Sequence, residues 1–262
     1  MKIRTQIINQ WDRNAIARCR QLQSGKDISH DKVLAPSLLR LAGNLEGKRV
    51  LDAGCGCGFL TARIARSAKS VVGVDISRQM IEEARRRFGD LQNVRFEVGT
   101  IEALVGLRRE RFDVCLSNMA LMTMPHLDRA LHGIYGVLRQ GGQFAFSITH
   151  PCFWNSYRKD ERMIKFDYWT PHAVTAPFRI TLARRPLPVP TTYFHRPAST
   201  YVGAIVEAGF QVDRIDEPRP PVHAPARYRR GFRFPRFMVF LCLKKGKRRP
   251  LKLTRSTPVR CR

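Results

Sequence analysis

Residues 49–58, RVLDAGCGCG, place an acid, Asp52, and three glycines at alternate positions, Gly54, Gly56 and Gly58, at the end of an apolar run. Without a Cβ atom such a loop can turn tightly and let a ligand approach the backbone closely. A second apolar run, SVVGVD, ends at Asp75, whose carboxylate can accept both hydroxyls of a ribose. Acids and glycines together point to a nucleoside-containing cofactor. The spacing then separates the candidates. A dinucleotide fingerprint reads G-x-G-x-x-G and seats a pyrophosphate on a helix N-terminus. Here Phe59 stands where the third glycine should be, and an acid just ahead of the loop repels a pyrophosphate. The same acid suits a ligand bearing an ammonium and a sulfonium. The spacing therefore argues against a nicotinamide-dependent dehydrogenase.

Two further clusters suit an acceptor. His150 ends one apolar run, and Tyr193, Phe194, His195 and Arg196 precede a helical pattern. Either imidazole can take a proton from a hydroxyl near neutral pH. The Arg196 guanidinium can clamp a carboxylate or phosphate in bidentate fashion. His150, His195, Tyr193 and Arg196 are thus the expected catalytic set. The alternatives are a strand-end role for His150 and bracing of the next helix by His195 and Arg196. A carboxylate acceptor would need no base at all.

The stretches VLDAGCGCGFLTARIA, VVGVDIS and VLRQGGQFAFSI resemble the class I S-adenosylmethionine-dependent methyltransferases, especially their small-molecule and quinone-biosynthesis branch. The resemblance implies that Asp52, Gly54, Gly56 and Gly58 hold the methionine end of the cofactor and Asp75, with Ile76 after it, the ribose. It places Thr100 at the adenine edge, where many relatives carry an acid, with Ile101 packed on the ring and Asn118 against the cofactor. Ser117-Asn118-Met119-Ala120-Leu121 lacks the Asn/Asp-Pro-Pro-aromatic sequence of nucleobase amine methylation.

Those residues need a frame. Apolar runs at 50–52, 71–75, 93–98, 112–117 and 143–149 alternate with helical patterns, and runs at 210–215 and 236–243 follow, the last antiparallel. This alternation predicts a doubly wound, seven-stranded, mostly parallel α/β sheet of Rossmann-like methyltransferase type with a substrate-covering insertion. The expected divisions are an N-terminal helical cover (1–45), a cofactor-binding half (46–149), the insertion (150–197), the rest of the sheet (198–245) and a basic tail (246–262). Seven of the sixteen prolines and many aromatics fall in the insertion, which includes Trp154, Tyr157 and Phe166.

The chain of 262 residues carries a net charge of +26, and residues 227–262 hold fourteen basic side chains and no acid. The tail beyond 245 reads as disordered. It suits nucleic acid, an anionic membrane or an acidic partner, and equally a solvated extension. No apolar run reaches transmembrane length and no secretion signal opens the chain, so a cytoplasmic location is expected. Cys55 and Cys57 read as small loop residues, since no histidine cluster or second cysteine pair supplies further ligands, and no metal is expected. The expected activity is O- or N-methylation of a small or peptide-like metabolite, with an anionic acceptor among the options. The alternative is an RNA-directed methyltransferase or RNA-binding protein using the tail, and the oligomeric state is left open.

Overall fold

The computed structural model describes residues 2–107, 111–153, 167–180, 182 and 185–245. The basic tail and the aromatics Trp154, Tyr157 and Phe166 lie outside these. Seven strands form the main sheet: β1 (Arg49–Ala53), β2 (Ser70–Asp75), β3 (Val94–Val98), β4 (Phe112–Asn118), β5 (Leu138–Thr149), β8 (Gln211–Asp216) and β9 (Phe237–Leu243). Their spatial order is β3-β2-β1-β4-β5-β9-β8. The first five run parallel, and β9 is antiparallel to both β5 and β8. This is the expected fold.

Alternate residues of each central strand feed two cores, as the pleat requires. Leu51, Cys115, Phe144 and Phe146 face α5 (Leu127–Val137) and α6 (Ala198–Glu207), whereas Val50, Val114, Leu116 and Ala145 face α2 (Ala35–Ala42) and α3 (Phe59–Ile64). Phe146 stacks on Phe240 with ring centres 4.8 Å apart. Burying both sides makes these strands read as continuous apolar runs. The α5 C-terminus is closed by Lys244, whose Nζ donates to the carbonyls of Tyr135 and Leu138 at 2.6 and 2.7 Å. A cation there complements the helix dipole.

Helix α4 (Arg78–Phe88) begins at Ser77, whose hydroxyl accepts from the Met80 N–H. It buries Met80, Ile81 and Ala84, as its apolar spacing predicts. Arg86 and Arg87 pair with Glu83 one turn back, and Arg85 donates to the Phe96 carbonyl at 2.6 Å, so that basic triplet stabilises its own helix and β3.

The chain leaves β1 toward β2 and β3, then returns to β4 on the other side of β1. The carboxyl ends of β1 and β4 therefore flank a crevice, the place where open α/β sheets bind ligands. Over it lies a roof of two parts. One is the long helix α1 (Lys2–Gln23), and the other is an antiparallel pair, β6 (His172–Ala176) with β7 (Thr191–His195), inside the proline-rich segment. That strand pair was not anticipated. Five-residue strands flanked by prolines give too little alternation to stand out in sequence. Buried Gln10 of α1 donates to the Thr192 hydroxyl and accepts the Thr192 N–H, both at 3.0 Å. Asn14 pairs in the same two-way manner with the backbone of Val189, at 2.8 and 2.9 Å.

Candidate active site

Beneath the roof is a cavity of about 630 Å³, within the range of small-molecule sites. Asp52, Gly54, Gly56, Asp75, Ile76, Thr100, Ile101 and Asn118 all line it. The local geometry follows from β1 and β2 ending side by side, with Asp52 in register with Gly73 and Ala53 with Val74. The Gly54 and Cys55 N–H groups donate to the Val74 carbonyl at 2.7 and 3.0 Å. The Gly56 N–H donates to one oxygen of Asp75 at 2.9 Å, and the Ser77 N–H to the other at 2.9 Å. Each Asp75 oxygen keeps acceptor capacity. Burial, opposed by these N–H groups and reinforced by Asp12, leaves its pKa raised.

Asp52 is buried and accepts from the Thr61 hydroxyl at 2.6 Å. Burial pushes its pKa up to about 7 against the Thr61 bond, and the Asp75 charge adds to the rise. An acid so placed gains from a cation beside it. Thr100 Oγ1 is buried with no hydrogen-bond partner. That is an orphaned polar atom where an adenine edge would supply a partner. Ile101 lies buried next to it. The residues present therefore fit S-adenosylmethionine.

The glycines divide by role. All three adopt positive φ, +80° at Gly54, +52° at Gly56 and +80° at Gly58. A Cβ on Gly54 would lie 2.4 Å from the Ala120 Cβ, so its absence lets the loop after β4 close on the loop after β1. A Cβ on Gly58 would lie 2.8 Å from the Phe96 ring, and Gly58 does not line the cavity. The expectation that Gly58 touches the cofactor is therefore corrected: it makes room for Phe96. Cys57 is corrected too. It forms a disulfide with Cys19 of α1, which clasps the roof to the glycine loop. Cys55 stays a free, buried thiol.

The expected acceptor set is not brought together. Only Tyr193 lines the cavity. His150 is buried just after β5, where Nε2 meets Glu217 Oε1 at 2.7 Å and Nδ1 accepts the Cys152 N–H at 3.2 Å. His195 faces the Tyr168 carbonyl at 2.9 Å, and burial lowers its pKa. Arg196 donates to the carbonyls of Met124 and Pro125 at 2.5 and 3.1 Å, holding the segment after β4. None of these three lines the cavity; they hydrogen-bond to Glu217, the Cys152 N–H and backbone carbonyls. Tyr193 points to the cavity while its neighbours point elsewhere.

Residues that sequence reasoning passed over take their place. Met119 has φ +58°, unusual for a non-glycine, and its N–H donates to Ser147 O and Oγ at 3.1 and 3.0 Å. Strain of this kind gathers at functional sites. Trp11, by contrast, fell within the cover expected from sequence, and it meets Phe178 edge-on at 6.3 Å in the roof. Ser29, His30, Met119, Met122, Met124, Phe178, Arg179, Ile180 and Arg236 also line the cavity. Nothing in their spacing marked them. They come from four separate segments.

The charges are sorted by position. Arg4 pairs with Glu102 and Arg18 with Asp27. Asp52 and Asp75 of the lining belong to the β1 and β2 ends, and Arg179 and Arg236 to the roof and the start of β9, where Arg236 Nε also donates to the Gly231 carbonyl at 3.0 Å. Among the described residues no helix is long and apolar enough to cross a membrane, and no group of three or more candidate metal ligands occurs.

Comparison with known proteins agrees with this geometry. The profile of a family described as "Methyltransferase domain" matches residues 44–184. An uncharacterized protein of Haemophilus influenzae is 29% identical over 227 residues, covering 80% of this chain and 86% of that protein. A ubiquinone biosynthesis O-methyltransferase of Alkalilimnicola ehrlichii is 33% identical over 109 residues, covering 41% of this chain and 44% of that enzyme. The chain thus spans less than half of that named relative. A solved structure from Listeria monocytogenes, described as an S-adenosylmethionine-dependent methyltransferase, superposes with a TM-score of 0.64 at 26% identity. It covers 84% of this chain and 99% of its own.

Proposed function

Because the chain belongs to the class I S-adenosylmethionine-dependent methyltransferases, we propose that it methylates an oxygen or nitrogen of a small, largely apolar, anionic metabolite. The observation that carries this reading is the roofed cavity, acidic at the β1 and β2 ends and lined elsewhere by methionines, Phe178, Ile180, Tyr193, Arg179 and Arg236. S-adenosylmethionine, when bound, supplies an activated methyl group. Asp75 would accept the ribose hydroxyls, Thr100 the adenine edge, and Asp52 would face the charged end. Gly54, Gly56, Ile76, Ile101 and Asn118 would complete that half.

The chain's contribution is alignment and enclosure. Met119 and Met124 form the wall beside the β4 end, and the Arg196 bonds hold that wall still. The Gln10 and Asn14 amide pairs join α1 to β7 and Val189 as one cover, an arrangement suited to excluding water. Arg179 and Arg236 favour an anionic group on the acceptor. The O-methylating name of the Alkalilimnicola relative supports oxygen as the acceptor atom.

Incubation with methyl-tritiated S-adenosylmethionine and a cell extract, split into small-molecule, RNA and protein fractions, tests the reading. Label should appear in small organic acids. Label confined to RNA or protein would contradict it.

A further inference from the structure

We propose that His30 is the general base of the transfer, and that the acceptor atom is accordingly the oxygen of an ionisable hydroxyl on an apolar, aromatic-sized ligand. The inference rests on the methyltransferase reading above and adds the reacting group. His30 belongs to a single helical turn, Ser29–Leu34, is nine-tenths buried and lines the cavity. Its Nδ1 lies 2.9 Å from Asp31 Oδ1. A carboxylate can only accept, so Nδ1 carries the proton, and in the neutral ring Nε2 has the lone pair. Burial alone would raise the Asp31 pKa. The hydrogen bond from His30, the charge that ring carries once it has taken a proton, and the charges of Arg63 and Lys32 outweigh it and hold the carboxyl below its ordinary value.

The pair is fixed from outside its own turn. Arg63 of α3 donates to Asp31 Oδ1 at 3.1 Å and to the Asp31 carbonyl at 3.2 Å, so the helix that follows the glycine loop anchors the orienting acid. The His30 N–H donates to Asp27 Oδ1 at 3.1 Å, and Asp27 is held by Arg18 of α1 at 2.6 Å. Ile28, Val33 and Leu34 pack with Tyr228 and Phe237, and Met119 packs against that cluster. The turn is thus bracketed by α3 on one side and by the residue after the β4 end on the other. Phe59 and Leu60 of α3 and Met119 all line the cavity.

The charged and titratable groups around the ring are Asp27, Asp31 and Lys32 on its own segment, Arg18 on α1, Arg63 on α3, and Tyr228, which meets Ser29 at 2.8 Å. Arg236 lines the same cavity. In the reaction, His30 Nε2 takes the hydroxyl proton as the oxygen–carbon bond forms. The carbon–sulfur bond breaks with its electron pair left on sulfur, and the imidazolium then returns the proton to water. Atoms and charge balance without a further reagent. This is the arrangement expected of a base with an orienting carboxylate.

The test uses the full chain saturated with S-adenosylhomocysteine and 4-nitrocatechol as a chromophoric hydroxyl probe. Calorimetry first establishes that wild type, His30→Gln and Asp31→Asn all bind S-adenosylhomocysteine. Absence of binding in wild type would count against the methyltransferase reading rather than against His30. Absorbance titration then reads the protonation of the bound probe. Wild type should bind it as the phenolate, with its apparent ionisation shifted down. His30→Gln should abolish the shift, moving the apparent pKa up by about one unit or more, a tenfold loss. Asp31→Asn should lose part of it. Nitrogen-15 spectra, with His30 identified by its loss in His30→Gln, should show the Nδ1–H tautomer. A probe bound neutral by wild type, an equal shift in His30→Gln, an Nε2–H tautomer, or no probe binding to the cofactor-product complex would overturn the proposal.

Discussion

Asp52 sits fully inside the fold with a pKa pushed up to about 7, chiefly by burial, so its charge changes near neutral pH. The sign matters. Below pH 7 the carboxyl is neutral and offers a cationic ligand only a dipole. Above it the carboxylate attracts an ammonium or sulfonium. S-adenosylmethionine affinity should therefore fall as pH drops through about 7, approaching tenfold per unit, and binding near pH 6.5 should release protons. Titration calorimetry in buffers of different ionisation enthalpy measures both effects. For the empty protein the linkage runs the other way. A carboxyl whose folded pKa is raised contributes stability present at acid pH and lost as pH rises through 7, so bound cofactor should flatten that loss. At Asp75, whose two oxygens hold the Gly56 and Ser77 N–H groups, Asp75→Ala should weaken cofactor binding by about 1–3 kcal/mol.

The roof depends on few, long-range joints. Gln10 and Thr192 are 182 positions apart, and the pair is buried. Gln10→Ala leaves the Thr192 N–H without its acceptor, which should cost about 1–3 kcal/mol and lower the melting temperature. It should also speed dissociation of S-adenosylhomocysteine, measured by stopped-flow fluorescence of Trp11. The Cys19–Cys57 disulfide closes a separation of 38 residues between roof and glycine loop. Cys19→Ser should cost roughly 2–4 kcal/mol in denaturant titrations and release the cover. Dithiothreitol should reproduce that loss in wild type and change nothing in the variant. Here sequence reading runs out for a plain reason. Amide-to-backbone pairs and a cross-linked cysteine depend on where distant segments meet, and no local periodicity encodes that. The β6–β7 pair is illegible on the same ground, being short and divided by prolines.

For the molecule as a whole, the sheet was legible because strands buried on both faces read as unbroken apolar runs between helical patterns. The cofactor half followed from it, since Asp52 and Asp75 stand at strand ends fixed by that pattern. The acceptor half did not. His150, His195 and Arg196 looked chemical in sequence but serve the frame. His30, within the expected N-terminal cover and marked by no motif, reaches the cavity through folding. Glycines shared a spacing yet divide into Gly54 and Gly56 at the cavity and Gly58 under Phe96. Charge is also divided, with much of the +26 beyond β8. A chain ending at residue 245 should keep its cofactor affinity and its transfer to small acids, as read by calorimetry and the tritium assay.

Calorimetric titration of wild type and Gly56→Val with S-adenosylmethionine tests most directly whether the crevice between the β1 and β4 ends holds the methyl donor. One site per chain in wild type, lost in a Gly56→Val protein that still melts cooperatively, is the predicted result. No binding to wild type, or equal binding by both proteins, would contradict it.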